Sequence, residues 1–173
     1  MAINSLISLI GPDGAGKTTI ANELVKKIPN SIIVYMGRAK GNIIPIDKIK
    51  VKVKKPWMYF FGSFVYFFNL LLRYWFYVFP LRFFKTVISD RYMTDIYLMK
   101  NVPLWLRNVY LLFIPKPTYT FLLYEDLETL IKRKNHDKED LIRQMVLFDK
   151  INAVRIKNED VDKTVERILF KLV

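Results

Sequence analysis

One stretch limits this chain more than any other: Leu9-Ile10-Gly11-Pro12-Asp13-Gly14-Ala15-Gly16-Lys17-Thr18-Thr19. The spacing Gly11-x-x-x-x-Gly16-Lys17-Thr18 fits the loop that cradles nucleotide phosphates. Glycines at 11, 14 and 16 let the backbone crowd close to a ligand, so that its N–H groups form a nest for anionic oxygens. Ala15 and Thr19 complete that cradle, and the start of the following helix adds to its anion affinity. Lys17 reaches the β/γ-phosphates, and the Thr18 hydroxyl is a ligand for Mg²⁺. Such a loop needs an apolar strand before it and a helix after it. Ile3–Ile10 is short and apolar enough for a buried strand. Lys17–Ile28 puts Ile20, Ala21, Leu24, Val25 and Ile28 on one helical face.

The same punctuation continues along the chain. Ser31–Met36, Thr86–Asp90, Thr118–Tyr124 and Ala153–Lys157 read as further strands. Helical patterns stand at about 93–101, 104–113, 126–134, 139–151 and 160–171. Strands alternating with helices predict a parallel sheet covered on both faces, a three-layer α/β domain. With 173 residues and no repeat or low-complexity linker, the chain is read as one domain, 1–173. It has no cysteine, which excludes a disulfide scaffold and cysteine-based zinc or redox chemistry. The first apolar run leads straight into the glycine-rich loop rather than to a cleavage site, so a cytoplasmic protein is expected.

The net charge of +12 calls for anionic partners: nucleotides, nucleic acid or a membrane surface. Arg38, Lys40, Lys48, Lys50, Lys52, Lys54 and Lys55 are opposed in their stretch only by Asp47. Asp47–Lys55 alternates apolar and basic residues, as an exposed strand or an extended basic arm would. Pro56–Phe84 then holds 15 of the 26 aromatic residues. It is apolar all round, and its uncharged run, Trp57–Leu72, is shorter than the roughly 20 residues of a membrane span. One or two helices packed in the core or in a homodimer interface are expected. Trp57, Phe60, Phe64, Phe68 and Leu71 should form a covered stripe. Interfacial attachment to an anionic membrane, which would make the protein peripheral, is the alternative.

Ser89-Asp90-Arg91-Tyr92 closes the third strand. Ligands of open parallel sheets bind at the carboxyl ends of strands, the edge that also carries the loop. Asp90 is therefore a candidate for Mg²⁺ or an acceptor group, and Arg91 for an acceptor phosphate. Together, "GPDGAGKTT" and "VISDRY" resemble the thymidylate kinases and their relatives among the nucleoside monophosphate kinases. "PKPTYTFLLYEDLETLIKRK" and "EDLIRQMVLFDKI" extend that resemblance in order along the chain.

The resemblance implies a five-stranded sheet in the order 2-3-1-4-5 and phosphoryl transfer from ATP with Mg²⁺. A nucleoside monophosphate is the acceptor it implies first. It places Lys17, Asp13, Asp90, Arg91 and Arg133 in catalysis, with Arg133 also against adenine. It places Arg38, Arg73, Asp90, Arg91 and Tyr92 toward the acceptor, and a short lid at about 132–140, where Lys134, Lys138 and Arg143 are further candidate cations. Asp13 is read either as an acceptor contact or as a turn stabiliser within the loop. The family's R-E-P segment is replaced by "YMGR", and Met93-Thr94-Asp95 stands where the family has a serine-containing helix start. These departures fall on the acceptor side. Two readings therefore stand beside the nucleotide kinase: a kinase of a non-nucleotide or nucleic-acid-end acceptor, and a membrane-associated nucleotide-binding protein.

Overall fold

All five residues of Leu6–Ile10 are buried, which only a central strand covered on both faces permits. In the computed structural model, which describes residues 4–37, 56–99, 102–133 and 137–172, this strand, β1, is the middle of the sheet. The others are β2 (Ser31–Tyr35), β3 (Thr86–Asp90), β4 (Tyr119–Tyr124) and β5 (Val154–Lys157). All neighbours pair in parallel, in the order β2-β3-β1-β4-β5. Leu9 lies opposite both Asp90 and Phe121, and Tyr35 opposite Asp90, so the strand ends line up along one edge. The connection after β1 runs to β2 on one side, and the connection after β3 crosses to β4 on the other. The crevice between β1 and β3 is thus the topological switch point where such sheets bind ligands.

The period-two pleat sorts β1 into two cores. Leu6 and Ile10 join Val34, Leu70, Tyr74 and Tyr92 on one side. Ile7 and Leu9 join Ile20, Leu24, Phe121 and Val165 on the other. The second side is covered by α1 (Lys17–Lys27), α5 (Leu127–Arg133), α6 (Lys138–Asp149) and α7 (Val161–Leu172). Asp137 caps α6, its carboxylate accepting from the Glu139 N–H at 3.2 Å. The first side is covered by α2 (Pro56–Arg73) and α4 (Leu104–Leu112). A π-helical turn over Tyr74–Val78 and the single turn α3 (Phe79–Leu81) prolong α2. The π turn sits directly before Pro80, whose ring and missing N–H break the regular helical ladder.

Two expectations take a more definite form here. The helical pattern at 93–101 is a 3₁₀ helix over Met93–Leu98, and residues 100 and 101 lie outside the described residues. Met93, Ile96 and Met99, all buried, recur every three residues, the spacing a 3₁₀ turn stacks on one face. Of the stripe expected to be covered by the core or by a second subunit, Phe60, Phe64 and Phe68 are about half exposed in the single chain and Leu71 packs against the core, while the Trp57 side chain lies outside the described residues. The buried side of α2 is the one bearing Tyr66, Phe67 and Leu70, continued by Tyr74 of the π turn. Both sides are apolar, so periodicity alone could not choose. Polar anchors choose: Ser63 Oγ lies 3.1 Å from the Tyr110 hydroxyl, and Arg73 donates to the Gly37 carbonyl at 3.0 Å and to that of Tyr35. Turning this side outward would strand those groups or unstack Phe67 from Tyr110, whose ring centroids are 4.4 Å apart. The basic stretch from Arg38 to Lys55 lies outside the described residues.

Candidate active site

The glycine-rich loop joins β1 to α1 at the switch point, and its backbone explains its composition. Gly11 has φ +142°, and a Cβ there would collide with the Leu123 carbonyl oxygen of β4. Gly16, with φ +83°, is the N-cap of α1, and a Cβ there would strike the Asn158 amide. Lys17, at the start of α1, curls back over the loop. Its ammonium donates to the carbonyls of Gly11 and Pro12, both at 2.7 Å. Burial pushes the Lys17 pKa down to about 8, assisted by the nearby Arg91 guanidinium, with Asp95, Asp13 and Asp90 pulling the other way.

Thr18 reaches across the crevice to β3. Its hydroxyl donates to Asp90 Oδ2 at 2.7 Å, so the two motifs meet at one edge of the sheet. Asp90 is buried, and its Oδ1 has no hydrogen-bond partner among the described residues. A buried carboxylate oxygen left open beside a threonine hydroxyl is a donor set that suits Mg²⁺, which takes one or two protein oxygens and completes its shell with phosphates and water. Among the described residues no cluster of three or more His, Cys, Asp or Glu could hold a metal without such added ligands.

Arg91 follows Asp90 with φ +68°, a left-handed conformation that a non-glycine residue adopts only under constraint. The constraint is visible. Its N–H donates to the Leu9 carbonyl at 3.1 Å, and its own carbonyl accepts from Ser89 Oγ. The guanidinium is thereby turned to pair with Asp13 of the loop and, at 3.3 Å, with Asp95 of the 3₁₀ helix. Burial alone would lower the Arg91 pKa, but Asp95 and Asp13 more than offset it and the guanidinium stays charged. Asp95, itself buried, has its pKa raised by that burial, against the pull of Arg91 and Lys17. Asp13 thus spans from the loop to the β3 arginine, and its N–H donates to Gln144 Oε1 at 3.0 Å.

Arg73 belongs to the same neighbourhood through β2, since its carbonyl partners Tyr35 and Gly37 lie at the sheet edge beside Arg91. A Cβ on Gly37 would collide with the Arg91 side chain. Burial lowers the Arg73 pKa. Tyr92 is not brought to the site: it is fully buried, and its hydroxyl donates to the Pro115 carbonyl on the α4 side of the sheet. Arg38 and Lys134 lie outside the described residues. Arg143 is held by Asp140 and the Leu98 carbonyl.

A cleft of about 400 Å³ opens between the loop and the β5–α7 connection, and Arg91 is part of its lining. Gly14, Lys17, Thr18 and Thr19 form one wall, and Asn158, Glu159 and Val161 the other. Arg133, at the end of α5, stands over its mouth. It donates to the Gly14 carbonyl at 3.4 Å and lies 3.5 Å from Glu125. Asn158 donates to the Ala15 carbonyl at 2.8 Å and braces the loop from β5. Sequence reasoning missed Asn158, Gln144, Glu125, Tyr35 and Asp95. Asn158, Gln144 and Tyr35 act through contacts far along the chain that no local spacing announces, whereas Asp95 and Glu125 meet arginines four and eight residues away. The one available signal was a polar residue just past the end of a buried strand, as at Glu125 and Asn158.

No protein-family model matches the chain, and no curated protein matches it in sequence. Solved structures match it in fold over nearly its whole length. The thymidylate kinase of Candida albicans superposes with a TM-score of 0.73 at 19% identity, covering 99% of this chain and 92% of its own. The thymidylate kinase of Ehrlichia chaffeensis gives 0.64 at 15%, covering 99% and 100%. A deoxyadenosine kinase from M. mycoides, solved with bound dATP, gives 0.62 at 20%, covering 98% and 99%. The chain therefore has the fold of the thymidylate kinase-like nucleoside monophosphate kinases.

Proposed function

We propose that this protein is a phosphotransferase that moves the γ-phosphoryl group of ATP to a nucleoside monophosphate, giving ADP and a nucleoside diphosphate. One observation carries the reading: Lys17, the Thr18–Asp90 pair and the Arg91 held between Asp13 and Asp95 converge on one crevice. The cleft under Arg133 opens beside it. A switch or motor needs the phosphate loop and the metal ligands, but a second cation, Arg91, locked in the same cleft by two carboxyl groups suits an acceptor phosphate.

In this reading the loop N–H groups and the N-terminus of α1 hold the β- and γ-phosphates. The Lys17 ammonium exchanges its two carbonyl partners for phosphate oxygens and offsets charge developing on the transferred group. Thr18 and Asp90 hold Mg²⁺, which when bound neutralises and orients the phosphate oxygens. Arg133 and the Asn158 wall border the nucleoside end of ATP. Arg91 clamps the acceptor phosphate, with Asp13 and Asp95 fixing its direction, and Arg73 stands behind it. An acceptor phosphate oxygen forms the new P–O bond as the bond from γ-phosphorus to the bridging oxygen breaks, so no proton must be removed for the bond to form. Catalysis is then positioning and charge stabilisation.

The test is an ADP-release screen with ATP and Mg²⁺ over nucleoside monophosphates, deoxynucleosides, oligonucleotide 5′ ends and lipid-linked acceptors. Turnover on a monophosphate supports the proposal; turnover confined to any other class replaces its acceptor.

A further inference from the structure

Where the glycine-rich loop meets β3, two cations, Lys17 and Arg91, stand among three carboxyl groups, those of Asp13, Asp90 and Asp95. Arg73 is turned to the carbonyls of Tyr35 and Gly37. With all three carboxyl groups ionised, this junction would carry a net negative charge and repel the phosphates it is read to hold. Two of the three have a use for their charge. Asp90 accepts from the Thr18 hydroxyl, and its open Oδ1 suits a metal ion. Asp13, partly exposed, pairs with Arg91 from the loop.

Asp95 differs from both. It is 4% exposed, it meets Arg91 through Oδ2 at 3.3 Å, and its Oδ1 has no hydrogen-bond partner among the described residues. A charged guanidinium–carboxylate contact usually closes to about 2.7–2.9 Å. A buried carboxylate oxygen without a donor has lost its hydration and gained nothing, whereas a proton on that oxygen removes the charge. Burial, the largest influence, raises the Asp95 pKa; Asp13 acts in the same direction, and Arg91 and Lys17 pull it down. On the two helices packed against the 3₁₀ turn, the charged side chains facing it are Arg107 of α4 and Asp140 and Arg143 of α6. All three are engaged elsewhere. Arg107 donates to the carbonyls of Val102 and Tyr97, and Arg143 to the Leu98 carbonyl and Asp140.

We propose that Asp95 is held at neutral pH as an uncharged carboxylic acid, its proton on Oδ1, and that this acid positions Arg91 while leaving the guanidinium's charge for an acceptor phosphate. Arg91 then shares its charge with one carboxylate, Asp13. It lines the cleft with N–H groups still to give, since a guanidinium carries five donors and these two contacts use only part of them. A carboxylic acid kept neutral at pH 7 by its surroundings is a device that active sites use. The placement of the proton stands on the buried carboxyl alone; its purpose rests on the phosphotransfer reading.

The first measurement needs no substrate. An acid that keeps its proton in the fold and loses it on unfolding makes stability fall as pH rises, from the ordinary carboxyl value up to the raised value in the fold. Urea unfolding of the unaltered chain and of Asp95→Asn is compared at pH 5 and pH 7. The folding equilibrium of the unaltered chain should lose about a hundredfold relative to the variant, tenfold per pH unit. The infrared difference spectrum of the two at pH 7 should show the carbonyl stretch of a protonated carboxyl in the unaltered chain. Where Asp95→Asn does not fold, Asp95→Ser takes its place. A stability difference that stays flat between pH 5 and pH 7, or the absence of that band, overturns the proposal.

The second measurement reads the role. With ATP and Mg²⁺, KM is followed against pH for AMP, GMP, CMP, UMP and dTMP. Past the pH at which the stability difference levels off, the acid ionises. There the acceptor KM of the unaltered chain should climb by about tenfold per pH unit, and Asp95→Asn should not follow; the titration of Lys17 is common to both. An equal climb in both overturns the role given to the acid and leaves the phosphotransfer reading standing. Turnover on none of the monophosphates overturns that reading, and the role with it, while the first measurement still decides the proton.

Discussion

Replacing Lys17 by methionine should change how stability responds to pH, and the size of the change follows from its burial. The ammonium is almost wholly enclosed, and its pKa falls from 10.5 to about 8 in the fold. Between those values the unfolded chain holds the proton that the folded chain has released. Stability therefore rises with pH through this window. At about 1.4 kcal/mol per unit, holding the charged form in the fold costs about 3 kcal/mol at neutral pH, most of which is relieved by pH 10. Urea unfolding of both proteins without nucleotide at pH 7 and pH 10 isolates this contribution, because other titrating groups are common to the two. The stability gap should move by roughly 2–3 kcal/mol in favour of the lysine form as pH rises. A gap that stays constant across this range would refute the assignment of a buried, depressed ammonium. ATP gives a second readout. Its phosphates favour the charged form, so binding above pH 8 should take up a proton, seen as buffer-dependent heat, and Lys17→Met should abolish that uptake.

Asp90→Asn keeps the hydrogen bond to Thr18 within reach but removes the carboxylate charge; it should leave folding intact and lower kcat by about a hundredfold or more, read in coupled ADP assays. Arg91→Ala should chiefly raise the KM for the acceptor, provided the arginine grips ground and transition states alike, with ATP affinity nearly unchanged by titration calorimetry. Gly37→Ala drives a methyl against the pinned Arg91 side chain and the Tyr35 ring; it should lower the unfolding free energy by about 1–3 kcal/mol and weaken acceptor binding in parallel.

The parts of this molecule most legible in the sequence are those where one residue type has one physical use. The buried run before the loop, the glycine spacing and the aspartate closing a third apolar strand fixed the sheet edge on which the candidate site stands. Strand bounds agree with the sequence expectation to within a few residues, because buried parallel strands are short apolar runs between turn signals. Legibility failed where pattern was degenerate. Apolar on every side, α2 carried no periodic cue, and its orientation was set by Ser63 and Arg73 finding partners far along the chain. The type of helix at Met93–Leu98 was not legible, because three-residue spacing fits both a tight and a regular helix over so few residues. The Asp13–Arg91–Asp95 chain was invisible for a different reason. It depends on the positive φ of Arg91, which is imposed by backbone contacts to Leu9 and by Ser89.

The phosphotransfer account rests on where the γ-phosphoryl group goes, and that is directly measurable. The chain would be incubated with γ-³²P-labelled ATP, Mg²⁺ and each nucleoside monophosphate in turn, with label in the diphosphate product and in inorganic phosphate followed together. The account predicts label in a nucleoside diphosphate, little inorganic phosphate when acceptor is withheld, and loss of both in Lys17→Ala. Rapid release of inorganic phosphate without acceptor, unchanged by Arg91→Ala and with no labelled diphosphate, would contradict it.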